Sequence, residues 1–130
     1  MQNSPPVAGL TPDEIYNWLR HLPSLRRLKD DDVRAIADVA EWQIVAPGEV
    51  LYRIGQSPPD CFFILESGLI RLQRLDARQV AHTRERVDPG DYFGIESLTT
   101  SPIYNDLAIA DEESSVFFVR GANLQTLLQH

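Results

Sequence analysis

Between Asp88 and Ala110 the chain reads DPGDYFGIESLTTSPIYNDLAIA. A Pro-Gly turn leads to the pair Phe93-Gly94, then Ile95, the acid Glu96, the hydroxyl of Ser97, and Leu98. A proline-bearing loop comes next and runs to Tyr104 and Asn105. These types at this spacing suit a cradle for an anionic group, because glycine lets the backbone approach a ligand closely. The charge is wrong for that task. From Val87 to Val119 there is no Lys, Arg or His, while the same span holds seven acids: Asp88, Asp91, Glu96, Asp106, Asp111, Glu112 and Glu113.

Other chemistry is thinly supported. His21, His82 and His130 fall at a helix end, in a strand and at the terminus, without metal-ligand spacing, so no metal site is expected. The single Cys61 can form neither an internal disulfide nor an iron–sulfur centre, and it fits a reducing compartment. No nucleophile stands beside a base, so no catalytic residues are assigned and an enzyme is not expected. Arg71, Arg74, Arg78, Arg84 and Arg86 crowd one hairpin. On alternating strands they read as a solvated face offsetting nearby acids rather than as a patch for an acidic partner. Asp30-Asp31-Asp32 reads as the acidic start of a helix rather than as metal ligands.

The elements that position these residues change character along the chain. Residues 1–10 are expected to be a flexible start, and 11–40 to be helical. Thr11-Pro12-Asp13-Glu14 is a capping box with proline at the first helical position, followed by Ile15, Trp18 and Leu19 on one face. Pro23 ends that helix, and a second begins near Asp30 with Val33, Ile36, Ala37 and Ala40 as its stripe. From 41 to 120 the pattern is strands and turns: Trp42–Ala46, Val50–Arg53, Cys61–Leu65, Leu69–Leu75, Gln79–Arg86, Leu107–Ala110 and Ser114–Val119. Trp18 and Trp42 are expected to fill the seam between the helices and this strand region. Cys61–Leu65 is apolar on both faces and should be buried, whereas Leu69–Leu75 alternates and should lie half exposed. Residues 121–130 read as the start of a further helix near Ala122–Leu128.

At 130 residues, with 43% hydrophobic and 24% charged residues, the chain is one globular domain. A net charge of −7 argues against direct nucleic-acid binding, which needs clustered cations. No apolar run is long enough to insert in a membrane, and the first residues lack the pattern of a secretory signal, so the expected location is cytoplasmic.

Two stretches resemble the cyclic-nucleotide-binding domain family, in the form of the catabolite-activator-type sensor domain. They are PGEVLYRIGQSPPDCFFILESGLIRL (47–72) and VDPGDYFGIESL (87–98). The turn glycines Gly48, Gly55, Gly68 and Gly90, with Gly94, fall in the family's register, and the likeness covers about residues 20 to 130. The resemblance implies a mainly β jelly roll of about eight antiparallel strands, with N-terminal helices and a short C-terminal one. It also implies a ligand pocket formed by Phe93, Gly94, Ile95, Glu96, Ser97, Leu98, Tyr104 and Asn105. In binding members a Glu comes directly after the glycine and takes the ribose hydroxyl, and an Arg further on pairs with the phosphate. Here Ile95 stands after the glycine, with Glu96 displaced by one, and the Arg position falls on Tyr104, or on Asn105 if the loop slips. Neither supplies Arg's planar fork of donors.

The expectation is therefore a regulatory or sensor domain with a degenerate cassette, holding cAMP or cGMP, or another small anion, only weakly. Its partners would be a small-molecule ligand and a regulated domain or protein, and it would be a monomer or a weak dimer. The alternative is a genuine cyclic-nucleotide or other small-ligand sensor domain of a transcription regulator of the catabolite-activator type, or of a transporter or an enzyme.

Overall fold

The computed structural model describes residues 10–57, 61–95 and 103–120. The expected flexible start, the Glu96–Leu98 part of the cassette and the helix near Ala122–Leu128 lie outside the described residues, apart from Leu10.

Helix α1 spans Pro12–Arg20, and its start is the box read from the sequence. Glu14 N–H donates to Thr11 Oγ1 at 3.2 Å, and Thr11 N–H donates to Glu14 Oε1 at 3.0 Å. Two otherwise orphaned donors are satisfied reciprocally. A short 3₁₀ turn at Pro23–Leu25 comes next, and α2 spans Asp30–Val39 with all three aspartates in its first turn.

The described residues then form eight strands: β1 Ala40–Val45, β2 Val50–Tyr52, β3 Cys61–Ser67, β4 Ile70–Leu75, β5 Ala81–Val87, β6 Tyr92–Phe93, β7 Leu107–Ala110 and β8 Ser114–Arg120. They make two antiparallel four-stranded sheets, ordered β1-β8-β3-β6 and β2-β7-β4-β5. This is the expected mainly β jelly roll. Strand β6 is too short for its alternation to show in the sequence. Strand β5 begins two residues later than the sequence pattern predicts, because the turn before it is longer. Asp76 Oδ1 accepts from the N–H groups of Arg78 and Val80, and Gln79 sits at φ 67°. Those local bonds hold residues 76–80 out of the ladder.

Residues Cys61 through Leu65 are all buried, as their composition predicts. Alternation sends Phe62 and Ile64 toward α1 and α2, where they join Leu19, Val33, Trp42 and Val119. Cys61, Phe63 and Leu65 point into the roll with Tyr52, Ile70, Leu72 and Phe93. One strand thus serves two cores, one between helices and sheet and one between the sheets. Trp42 is buried and Trp18 half-buried in the helical seam, with Trp18 against Phe117 at a centroid distance of 5.3 Å.

Candidate functional site

The described part of the expected cassette begins at the end of β6. Phe93 pairs with Phe63 across β6 and β3, which sets Gly94 at the end of the roll. Gly94 has φ +68°, and a Cβ there would lie 2.6 Å from Phe63 Cδ2 and 3.0 Å from Tyr52 Cε2. No other residue fits that position without moving both rings. Ile95 is half-buried against the helical core.

The chain is described again from Ile103. Tyr104 is locked on both sides: its N–H donates to the Gln56 carbonyl and its carbonyl accepts from Gly55 N–H, each at 2.9 Å. Its ring is 1% exposed and lies flat on Tyr52, with centroids 3.9 Å apart and planes 11° apart. Of the expected pocket residues, Phe93, Gly94 and Tyr104 pack around Tyr52, Ile95 lies against the helical core, and Asn105 is exposed.

The cations come from elsewhere. The hairpin arginines are not uniformly a solvated face, and here the sequence reading is corrected. Asp106, 2% exposed, accepts from Arg84 Nε at 3.0 Å, Arg84 Nη2 at 2.6 Å and Arg74 Nε at 3.1 Å. Arg84 grips the carboxylate as a bidentate fork. That hydrogen bond, working against burial, holds the Arg84 guanidinium above its usual pKa. Arg71 pairs with Asp111 at 2.9 Å. Arg78 and Arg86 remain exposed.

The strands explain the convergence. Ile70, Leu72 and Arg74 lie on one face of β4, two buried residues followed by a charged one at the same parity. The β4–β5 register shifts between Leu72 and Gln73: Leu72 faces Glu85 and Gln73 faces Thr83. Arg84 is the extra residue, and a bulge of this kind re-aims a side chain. The parity of Arg74 was readable from the sequence. The bulge and the partner, 22 residues beyond Arg84, were not.

Arg74, Arg84, Asp106 and Glu85 line one cavity of about 320 Å³ together with Tyr52, Leu72, Phe93, Gly94 and Ile95. It can hold a small molecule between aromatic walls and a polar end. That end is internally balanced, two guanidiniums against two carboxylates, with Arg84 also 3.2 Å from Glu85. Among the described residues no group of His, Cys, Asp and Glu converges to hold a metal ion. No helix among them is long and apolar enough to cross a membrane.

The described residues thus form a β-roll packed against two N-terminal helices, with Gly94 lining a cavity at the end of β6. The model of the cyclic nucleotide-binding domain matches residues 42–130. The chain belongs to that family. It is 36% identical over 88 residues to the cGMP-dependent protein kinase, isozyme 1, of Drosophila melanogaster. That match covers 66% of this chain and only 11% of the kinase. Among solved structures, the regulatory domain of Toxoplasma gondii PKA with cAMP gives a TM-score of 0.78 at 19% identity, covering 91% of this chain and 48% of that one. The sensor domain of the transcriptional regulator DNR from Pseudomonas aeruginosa gives 0.76 at 18%, covering 91% and 79%. The regulatory subunit of a cAMP-independent protein kinase A from Trypanosoma cruzi, bound to guanosine, gives 0.76 at 17%, covering 83% and 38%. At these identities the structures share the fold.

Proposed function

We propose that this is a non-catalytic, cytoplasmic regulatory domain whose roll holds cAMP and cGMP no tighter than about millimolar and responds to another small ligand or to a protein partner. One observation carries the reading. Tyr104, which the resemblance places where the family's binding members carry Arg, is buried flat against Tyr52, with ring centroids 3.9 Å apart. Its backbone is fixed on both sides, so a slip of the loop that would bring a different side chain inward is opposed by two hydrogen bonds.

The energetics run the same way. A charge-assisted hydrogen bond contributes about 1.5–3 kcal/mol, so losing it weakens binding by about tenfold or more. The two guanidiniums that reach the cavity are already held by Asp106 and Glu85. They offer a phosphate little net charge. The Trypanosoma cruzi relative in fold binds guanosine, which carries no phosphate, and a pocket without a cassette cation suits that kind of uncharged ligand.

Titration calorimetry of the domain with cAMP and cGMP tests this. Dissociation constants near millimolar or weaker are expected, and micromolar binding overturns the reading. Tyr104→Arg combined with Ile95→Glu should raise cAMP affinity by at least about tenfold. If that double variant folds and gains nothing, the assignment of the cassette residues is wrong.

A further inference from the structure

We propose that Asp106 is an internal anion that fills the guanidinium pair of the roll cavity and sets its ligand preference against negative charge and toward uncharged molecules. This rests on the proposed function of the roll as a ligand pocket, and it names the residue that decides what the pocket accepts.

The geometry is that of a ligand already bound. A carboxylate on a surface strand gains little from two arginines, but the Asp106 side chain is only 3% exposed. It takes three charge-assisted bonds, from Arg84 Nε and Nη2 and from Arg74 Nε. A planar carboxylate in a bidentate guanidinium fork is the arrangement by which proteins recognise carboxylates and phosphates on ligands. Here the acid comes from the chain itself, where the cassette loop returns to β7. It lies in the same cavity as Gly94, against which a ligand's polar end would rest. An incoming anion meets a site whose best donors are spent and whose nearest charge is a fixed carboxylate. An uncharged ligand meets aromatic walls at Tyr52 and Phe93 and no such repulsion. Arg74, with half of its side chain exposed, uses only Nε on Asp106, so the pair has donors to give once the carboxylate charge is removed.

The test compares guanosine with cGMP on the wild type and on Asp106→Asn, by calorimetry or chemical-shift mapping, with circular dichroism to establish folding. Removing the charge while keeping the shape should strengthen cGMP binding by about tenfold or more, while guanosine changes less than about twofold. The gain should shrink between low and high salt, as an ionic contact requires. Should Asp106→Asn not fold, Arg84→Met with Asp106→Leu removes both members of the pair, leaves no orphaned buried charge and frees Arg74. A smaller gain for cGMP in the same direction, carried by Arg74 alone, is expected there. A folded variant whose cGMP affinity equals that of the wild type overturns the proposal, as does one in which guanosine gains as much as cGMP. Binding too weak to detect in the wild type and in every folded variant also overturns it. The proposed function fails on a different result: micromolar cGMP binding by the wild type sinks that reading, whereas only the ratio between variant and wild type decides the role of Asp106.

Discussion

Replacing Arg84 with methionine removes the fork that holds Asp106 and keeps most of the unbranched stem. The carboxylate, 3% exposed, then keeps, among the side chains of the described residues, only Arg74 Nε at 3.1 Å. Breaking a fully buried ion pair by removing one partner costs about 3–5 kcal/mol. Two facts reduce that figure. The Arg84 side chain is itself 39% exposed, so water screens part of the attraction, and Arg74 remains to hold one oxygen. The expected loss is about 2 kcal/mol. For a chain of this length that lowers the Tm by roughly 6–8 °C. Urea unfolding of Arg84→Met, Asp106→Leu and the double variant measures the coupling directly. Each single change orphans a charge or its donors, whereas the double change orphans neither. The double variant should therefore lose less than the sum of the singles, by at least about 1 kcal/mol. If Arg84→Met stays within about 0.5 kcal/mol of wild type, or the two losses simply add, the pair is a surface contact and the account of the cavity's polar end is wrong.

The turns supply two more expected outcomes. Gly68 and Gly48 share positive φ, +99° and +83°, but a Cβ on Gly68 would lie 2.2 Å from Ser114 Oγ and 2.6 Å from Ser114 Cα, while one on Gly48 meets nothing within 4 Å. Gly48→Ala should cost about 1 kcal/mol from backbone strain, and Gly68→Ala clearly more, about 3 kcal/mol, because backbone must shift as well. Equal losses in thermal melts would contradict this. In the β4–β5 turn, hydrogen bonds from Val80 N–H and His82 hold the Asp76 carboxyl below its usual pKa. A depressed carboxyl contributes stability that is present above its unfolded pKa and lost as pH falls through the folded one. Asp76→Asn should therefore flatten the acid side of the stability profile and leave the slope above neutrality unchanged, which pH-dependent melts would show.

Much of the scaffold was legible in the chain because its signals are local. The Thr11–Glu14 box closes over three residues, and both of its hydrogen bonds form as the spacing requires. Cys61–Leu65 announced a strand buried on both faces by composition alone. The glycine register of the turns carried the family, and the match over residues 42–130 agrees. Strand β6 was not legible, since two residues have no period, and its pairing with Phe63 and Ile64 depends on a strand nearly thirty residues earlier.

The sequence by itself determined the two N-terminal helices and most of the strands, because hydrophobic period, capping and turn chemistry act between near neighbours, and its resemblance to the family carried the roll. It also stated the puzzle, seven acids and no cation between Val87 and Val119. Only the tertiary structure decided the electrostatics of the cavity. Arg74 and Arg84 reach it from another hairpin, one by strand parity and one by a bulge, and meet Asp106 across 32 and 22 residues. Charge acts through space and burial, so whether an arginine is a solvated surface residue or the partner of a buried carboxylate depends on which strands the fold brings side by side.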